Sequence, residues 1–191
     1  MSFRLTPVFI QSNTPFTEEE VLQAAGLPSL QKGKAIAFYE TSKQYDRVFM
    51  GRNSHCTIVC NGNLAYAAFD DHYPLAQLQN AEITAIIWDE TSGCFGFSYI
   101  KNGETIRKVM VVDGSIECDE GEPLAEETTI NEEDLFPEDE REEMIEAEGE
   151  EGFLELLKAE KICRATNLLA KRFLGTGMME LQEQMELYEY H

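Results

Sequence analysis

The hydrophobic rhythm of the chain changes along its length. Residues 3–11 form a short apolar run that predicts a first strand, placed at a sheet edge because Pro7 cannot donate to a ladder. Thr17 and Glu20 make a capping-box signature and Phe16 is placed to staple onto Val21. A short helix follows, turning Val21, Leu22 and Ala25 inward and ending at Gly26 and Pro28. Between residues 35 and 118 the pattern is short apolar runs separated by turn signals. Asn61-Gly62, Asn102-Gly103 and Asp113-Gly114 each favour a tight hairpin turn. In the run at 94–101, Phe95, Phe97 and Tyr99 share one face by the two-residue period. This stretch reads as an antiparallel meander with one packed face, interrupted at 72–79 by a short helix or loop around Pro74.

Residues 153–174 carry the strongest helical pattern, with Leu156, Ala159, Cys163, Ala170 and Phe173 near one face and Gly175 as a stop. In the tail, Met178, Leu181, Met185 and Tyr188 fall at helical spacing and predict a second helix, which would dock on the body or on a second copy of the chain. The expectation is an α+β protein: a mostly antiparallel sheet of about six strands, a short N-terminal helix, and C-terminal helices packed on one face. Residues 1–118 form the sheet body, 119–151 an acidic connecting segment and 152–191 the C-terminal helices, as one domain overall.

Charge changes the picture. The 191 residues carry a formal net charge of −21. Between Glu117 and Glu151 there are 18 Asp and Glu against one base, Arg141, so this stretch alone holds −17. Pro137 is read as the first residue of a helix there, with Met144 and Ile145 turned inward. Such acidity argues against nucleic acid and against an anionic membrane surface as partners. Residues 1–11 lack the apolar core and cleavage site of a signal peptide. The five cysteines show no CxxC spacing and read as reduced, buried thiols, so a cytoplasmic location is expected.

The motifs of catalysis are missing: there is no GxSxG, no P-loop, no GxGxxG and no complete EF-hand. Cys56 and Cys60 on one strand face would stand about 13 Å apart, too far to share an ion. No metal or cofactor is called for. The polar residues to examine first are His55, Asp70, Asp71, His72 and Arg107; Asp70-Asp71-His72 combines carboxylates with an imidazole, a set suited to metal binding or acid–base work, although a solvated loop is the favoured reading of it.

Val48-Phe49-Met50-Gly51, Thr57-Ile58-Val59, the stretch Gly96 to Glu104, Arg107, Asp113-Gly114-Ser115-Ile116 and the exit Gly121-Glu122-Pro123-Leu124-Ala125-Glu126-Glu127 together resemble small bacterial proteins of uncharacterised families. The resemblance covers residues 48–127 and implies a bacterial cytosolic α+β protein. It carries no known activity, so no functional residue transfers. The chain departs from that pattern at Asn102, where Asp is common, and in its longer acidic segment. Physically, Arg107 is expected to pair with an acid of the exit such as Glu122.

The leading expectation for function is a non-enzymatic interaction protein of the antitoxin or immunity kind. It would use the acidic surface around Glu138, Asp139, Glu140, Glu142 and Glu143 to bind a basic partner. The alternatives are a small-ligand binder or hydrolase-type enzyme with a pocket near Asp70 and His72, and a structural homo-oligomer that meets through Met178, Leu181, Met185 and Tyr188.

Overall fold

Alternation of side chains fixes the two faces of the sheet. In the strand β2 (Pro7–Ser12), Val8 and Ile10 enter one core and Phe9 the other. The computed structural model describes residues 4–70, 72–131, 135–178 and 185–191. Within them lies one antiparallel sheet of ten strands rather than about six. Besides β2 these are β1 (Arg4–Leu5), β3 (Lys32–Ala37), β4 (Val48–Arg52), β5 (Thr57–Cys60), β6 (Ala81–Asp89), β7 (Cys94–Lys101), β8 (Glu104–Val112), β9 (Ser115–Gly121) and β10 (Glu186–Tyr190). The order is β3-β10-β4-β5-β2-β6-β7-β8-β9, with β1 also on β6. The meander β6 to β9 turns at Asn102-Gly103 and Asp113-Gly114, all four residues at positive φ, as the tight hairpin requires.

Three expectations are corrected. The N-terminal strand is not at an edge: β2 lies between β5 and β6. Leu5 faces Trp88 and Val8 faces Ala85, so β1 and β2 keep a single register along β6. The break between them falls at Thr6, and Pro7 follows as the first residue of β2, where a missing N–H is tolerated. Asn61-Gly62 is not a hairpin. The Asn61 carboxamide oxygen accepts from the Leu64 backbone N–H at 2.8 Å and caps the helix α2 (Gly62–Ala67). A Cβ on Gly62 would stand 2.0 Å from the Tyr45 ring, so glycine is needed there for packing rather than for a turn. Residues 186–190 form a strand, not a helix. Their spacing satisfies both periods, and the slot between β3 and β4 decides. Met178 and Met185 are buried in the chain's own core and Tyr188 lies under the Lys32 ammonium, 4.0 Å from the ring centroid; Leu181 lies outside the described residues.

Both faces of the sheet are covered, not one. The helices α1 (Glu18–Ala24) and α2, with the 3-10 turn Pro74–Gln77, pack Val21, Leu22, Leu64 and Leu75 against Val8, Ile83 and Ile100. The α1 capping box between Thr17 and Glu20 forms as its sequence predicts. The opposite face carries α4 (Glu138–Leu174), whose Phe173 ring stacks on Phe9 at 5.8 Å. This helix begins well before residue 153, with Pro137 at the N-cap and Glu138 as its first residue, one position later than the sequence suggests, and is broken at Gly149, with φ 77°. The stretch 119–151 therefore contains the end of β9, the short helix α3 (Ala125–Thr128) and the first turns of α4.

Among the described residues, β10 is the one strand that pairs with β3. Leu187 is fully buried over Gly51, where a Cβ would come within 2.6 Å of it. Leu187→Ala is expected to cost about 2–5 kcal/mol, read as a lowered midpoint in urea denaturation. A change below about 1 kcal/mol would show that β10 is not integral to the sheet.

Candidate interaction surface

The polar residues singled out from the sequence do not converge. Arg107 shares its face of β8 with Val109 and Val111, under α4, and is 3% exposed. Lys108, on the other face, reaches the carbonyl of Phe69 at 3.4 Å, beside exposed Asp70 and near exposed His72. The sheet thus separates Arg107 from Asp70 and His72; Asp71 lies outside the described residues. His55 is exposed in the loop between β4 and β5, against Gly175 at the end of α4. Among the described residues, no group of three His, Cys, Asp or Glu is arranged to hold a metal.

Arg107 is the centre of a structural knot. Its Nε donates to Glu127 at 3.0 Å, Nη2 to Glu127 Oε1 at 2.7 Å, and Nη1 to Asp119 at 2.6 Å and to the Gly121 carbonyl at 2.9 Å. Such forked pairing is what a buried guanidinium needs. Asp119 also pairs with Lys158 of α4. The expected partner Glu122 is instead exposed. The exit motif is explained by this knot: Gly121 has φ 84° and no room for a Cβ, which would stand 2.1 Å from the Ile106 carbonyl. Glu127 also accepts from the Leu124 N–H at 2.8 Å, which starts α3. That Glu three residues into a helix start was the sequence signal for the true partner.

A second network joins Glu82 to Lys101 at 2.9 Å, to Arg172 at 2.7 Å and to the Tyr99 hydroxyl at 2.9 Å. Burial disfavours the charged form of Glu82, but hydrogen bonds from Lys101 and Tyr99 and the Arg172 charge outweigh it and hold the carboxyl below its ordinary range. Lys101 and Arg172 line a polar groove of about 610 Å³ with Asn13, Ser54, His55 and Asn102. The thiols offer little chemistry. Burial pushes Cys56 and Cys60 up to about 12 and Cys163 up to about 11, so all three are protonated at neutral pH.

The acidic residues occupy an ordered arm. Glu138, Asp139, Glu140, Glu142 and Glu143 are all exposed on the first turns of α4, where the helix N-terminus favours negative charge. Its inner side carries Met144 and Ile145, half-buried against a small core of Leu135, Phe153 and Leu157. Arg141, the one base of the stretch, lies over the Phe153 ring at 5.3 Å. Among the described residues, no ion pair joins the five acids to a base. No helix of the described residues is long and apolar enough to cross a membrane. Comparison with protein-family models, with curated proteins and with solved structures finds no match.

Arg107→Leu strands the Glu127 carboxylate beside an apolar side chain and leaves Asp119 to Lys158 alone, and is expected to cost about 3–5 kcal/mol in urea denaturation. A near-neutral result would mean that the knot contributes nothing net. Acid sensitivity follows from Asp89, whose side chain is 1% exposed. Burial raises its pKa, but hydrogen bonds from Arg4, Ser92 and the Thr91 N–H outweigh that and hold it below the ordinary range. A depressed folded-state pKa gives stability that is present above the unfolded value and is lost as pH falls through the folded one. Unfolding free energy should therefore decline below about pH 4. Asp89→Asn should flatten that decline, and an unchanged pH profile would remove Asp89 as its source.

Proposed function

We propose that the protein is a non-enzymatic, acidic interaction protein that binds a basic surface on another protein, in the manner of antitoxin and immunity proteins that mask a basic site. The observation that carries this reading is the arm of α4, with five exposed carboxylates on an ordered helix and no counter-ion among the described residues. Five acids elsewhere, Glu82, Asp89, Asp119, Glu127 and Glu189, are by contrast engaged within the fold. The arm's charge is therefore left for an external cation, where it steers encounter and discriminates partners. Dispersal of His55, Asp70, His72 and Arg107 and the protonated thiols support a role without catalysis. Five free cysteines fit a reducing, cytoplasmic setting.

A narrower second reading rests on the polar groove, which two cations line: Lys101 and Arg172 share Glu82, and Arg172 pairs at longer range, 3.5 Å, with Glu126. It would suit a small anionic ligand. Citrate or phosphate at about 10 mM should then raise the melting temperature by a few degrees, and an unmoved melting temperature would dispose of it.

The main reading is tested by comparing proteins retained from cell extract by the native chain and by a variant with Glu138→Gln, Asp139→Asn, Glu140→Gln, Glu142→Gln and Glu143→Gln. Purified partners should bind the native chain at least about tenfold more weakly at ~0.5 M than at ~0.05 M salt, and the neutralised variant should bind weakly at both. Partners indifferent to both salt and neutralisation would sink the idea.

A further inference from the structure

The acidic arm has an apolar inner wall, and that wall is not fully covered. Between α4 and the end of the sheet formed by the β6–β7 and β8–β9 turns lies a groove of about 260 Å³. Phe95 and Val111 form its floor, Phe136 and Met144 the arm side, and Leu156 and Cys163 the body of the helix. Its size falls below the ~300–1,000 Å³ of sites that enclose whole small molecules, and suits the side-chain anchors of a larger partner. Four of its lining residues, Phe95, Phe136, Met144 and Leu156, are only half-buried.

The surroundings define the occupant. Glu140 stands one helical turn before Met144 and Glu148 one turn after it, both exposed. Arg141 is turned onto Phe153, and Glu160, the acid within the groove lining, is paired with Arg164 at 2.9 Å, which leaves the arm's carboxylates as the acids beside the slot without a base among the described residues. An apolar slot rimmed by carboxylates is complementary to a segment with apolar anchors on one face and Lys or Arg beside them. Met144 adds a lining that adapts to the anchor it meets. A helix presents such anchors at spacings of three and four residues.

Resting on the reading of the arm as the partner-binding element, we propose that the groove behind it receives the apolar face of a basic amphipathic helix of the partner protein. The carboxylates bind its flanking cations, and Phe136, Met144 and Cys163 hold its anchor. Specificity then comes from the groove and encounter rate from the arm.

The test uses two synthetic peptides of about 14 residues, one of alternating Leu and Lys at amphipathic helical spacing and one with every Leu replaced by Ser at equal charge. Fluorescence anisotropy with the full chain should show the Leu/Lys peptide binding at least about tenfold more tightly than its Ser counterpart. Iodoacetamide labelling at about pH 9, where a larger share of thiolate forms, resolved by cysteine in a mass spectrometer, should be slowed at Cys163 in the complex and unchanged at Cys118. Cys163→Trp, which fills the groove, should bring both peptides to the weaker affinity. Should that variant not fold, the labelling experiment on the native chain decides alone. Equal affinities with Cys163 unprotected would overturn the groove and leave the acidic arm standing. Tight Leu/Lys binding, with Cys163 protected, that survives high salt and neutralisation of the five arm acids would keep the groove and overturn the arm. No binding of either peptide would overturn both.

Discussion

A sheet with two apolar faces has to be covered twice, and the rest of this structure follows from that requirement. The face bearing Val8, Ile83 and Ile100 is closed by local pieces, α1, α2 and the turn at Pro74–Gln77, each contributing a few side chains. The face bearing Phe9, Phe97 and Val109 is closed by a single long helix, from Ala159 to Phe173. Interleaving β10 between β3 and β4 adds Met185 and Leu187 to that same face, so the end of the chain completes the core that α4 covers. Much of the stability then rests on contacts remote in sequence, which are slow to form and costly to lose.

The Arg107 knot solves a second problem, how the chain leaves an edge strand and returns over the sheet. A buried guanidinium is tolerated only when its donors are met, and here two carboxylates and the Gly121 carbonyl meet them. The same bonds fix Gly121, Leu124 and Glu127 in place, and Asp119 passes the tether on to Lys158 of α4. The stretch from Gly121 to Glu127 therefore needs no ligand to explain its composition.

Local chemistry was readable where it met no competitor. The Thr17–Glu20 capping box and the Asn-Gly and Asp-Gly turns of the later meander are satisfied by neighbours a few residues away. Asn61-Gly62 was misread because asparagine caps helices as well as it turns hairpins, and Tyr45 settles the choice from far along the chain. The tail was misread for a related reason: Met185, Leu187 and Tyr190 fit a strand only once a slot between β3 and β4 exists. Of the site, the acidic arm was legible as charge, while the groove behind it was not, because Phe95 and Cys163 meet only through the packing of α4 on the sheet.

Carboxylates in this molecule stand in two kinds of surroundings. Glu82, Asp89, Asp119, Glu127 and Glu189 each face a cation and act within the fold. On the arm, Glu138 and Glu142, Asp139 and Glu143, and Glu142 and Glu146 stand one turn apart with like charge, which disfavours the helix that carries them. What holds that helix is its favourable N-terminal end and the apolar contacts of Met144 and Ile145 with Phe153 and Leu157. The arm is thus a helix kept under mutual repulsion by a small core. A cationic partner would gain its own contacts and also relieve that repulsion, so that binding stabilises the arm as well as occupying it.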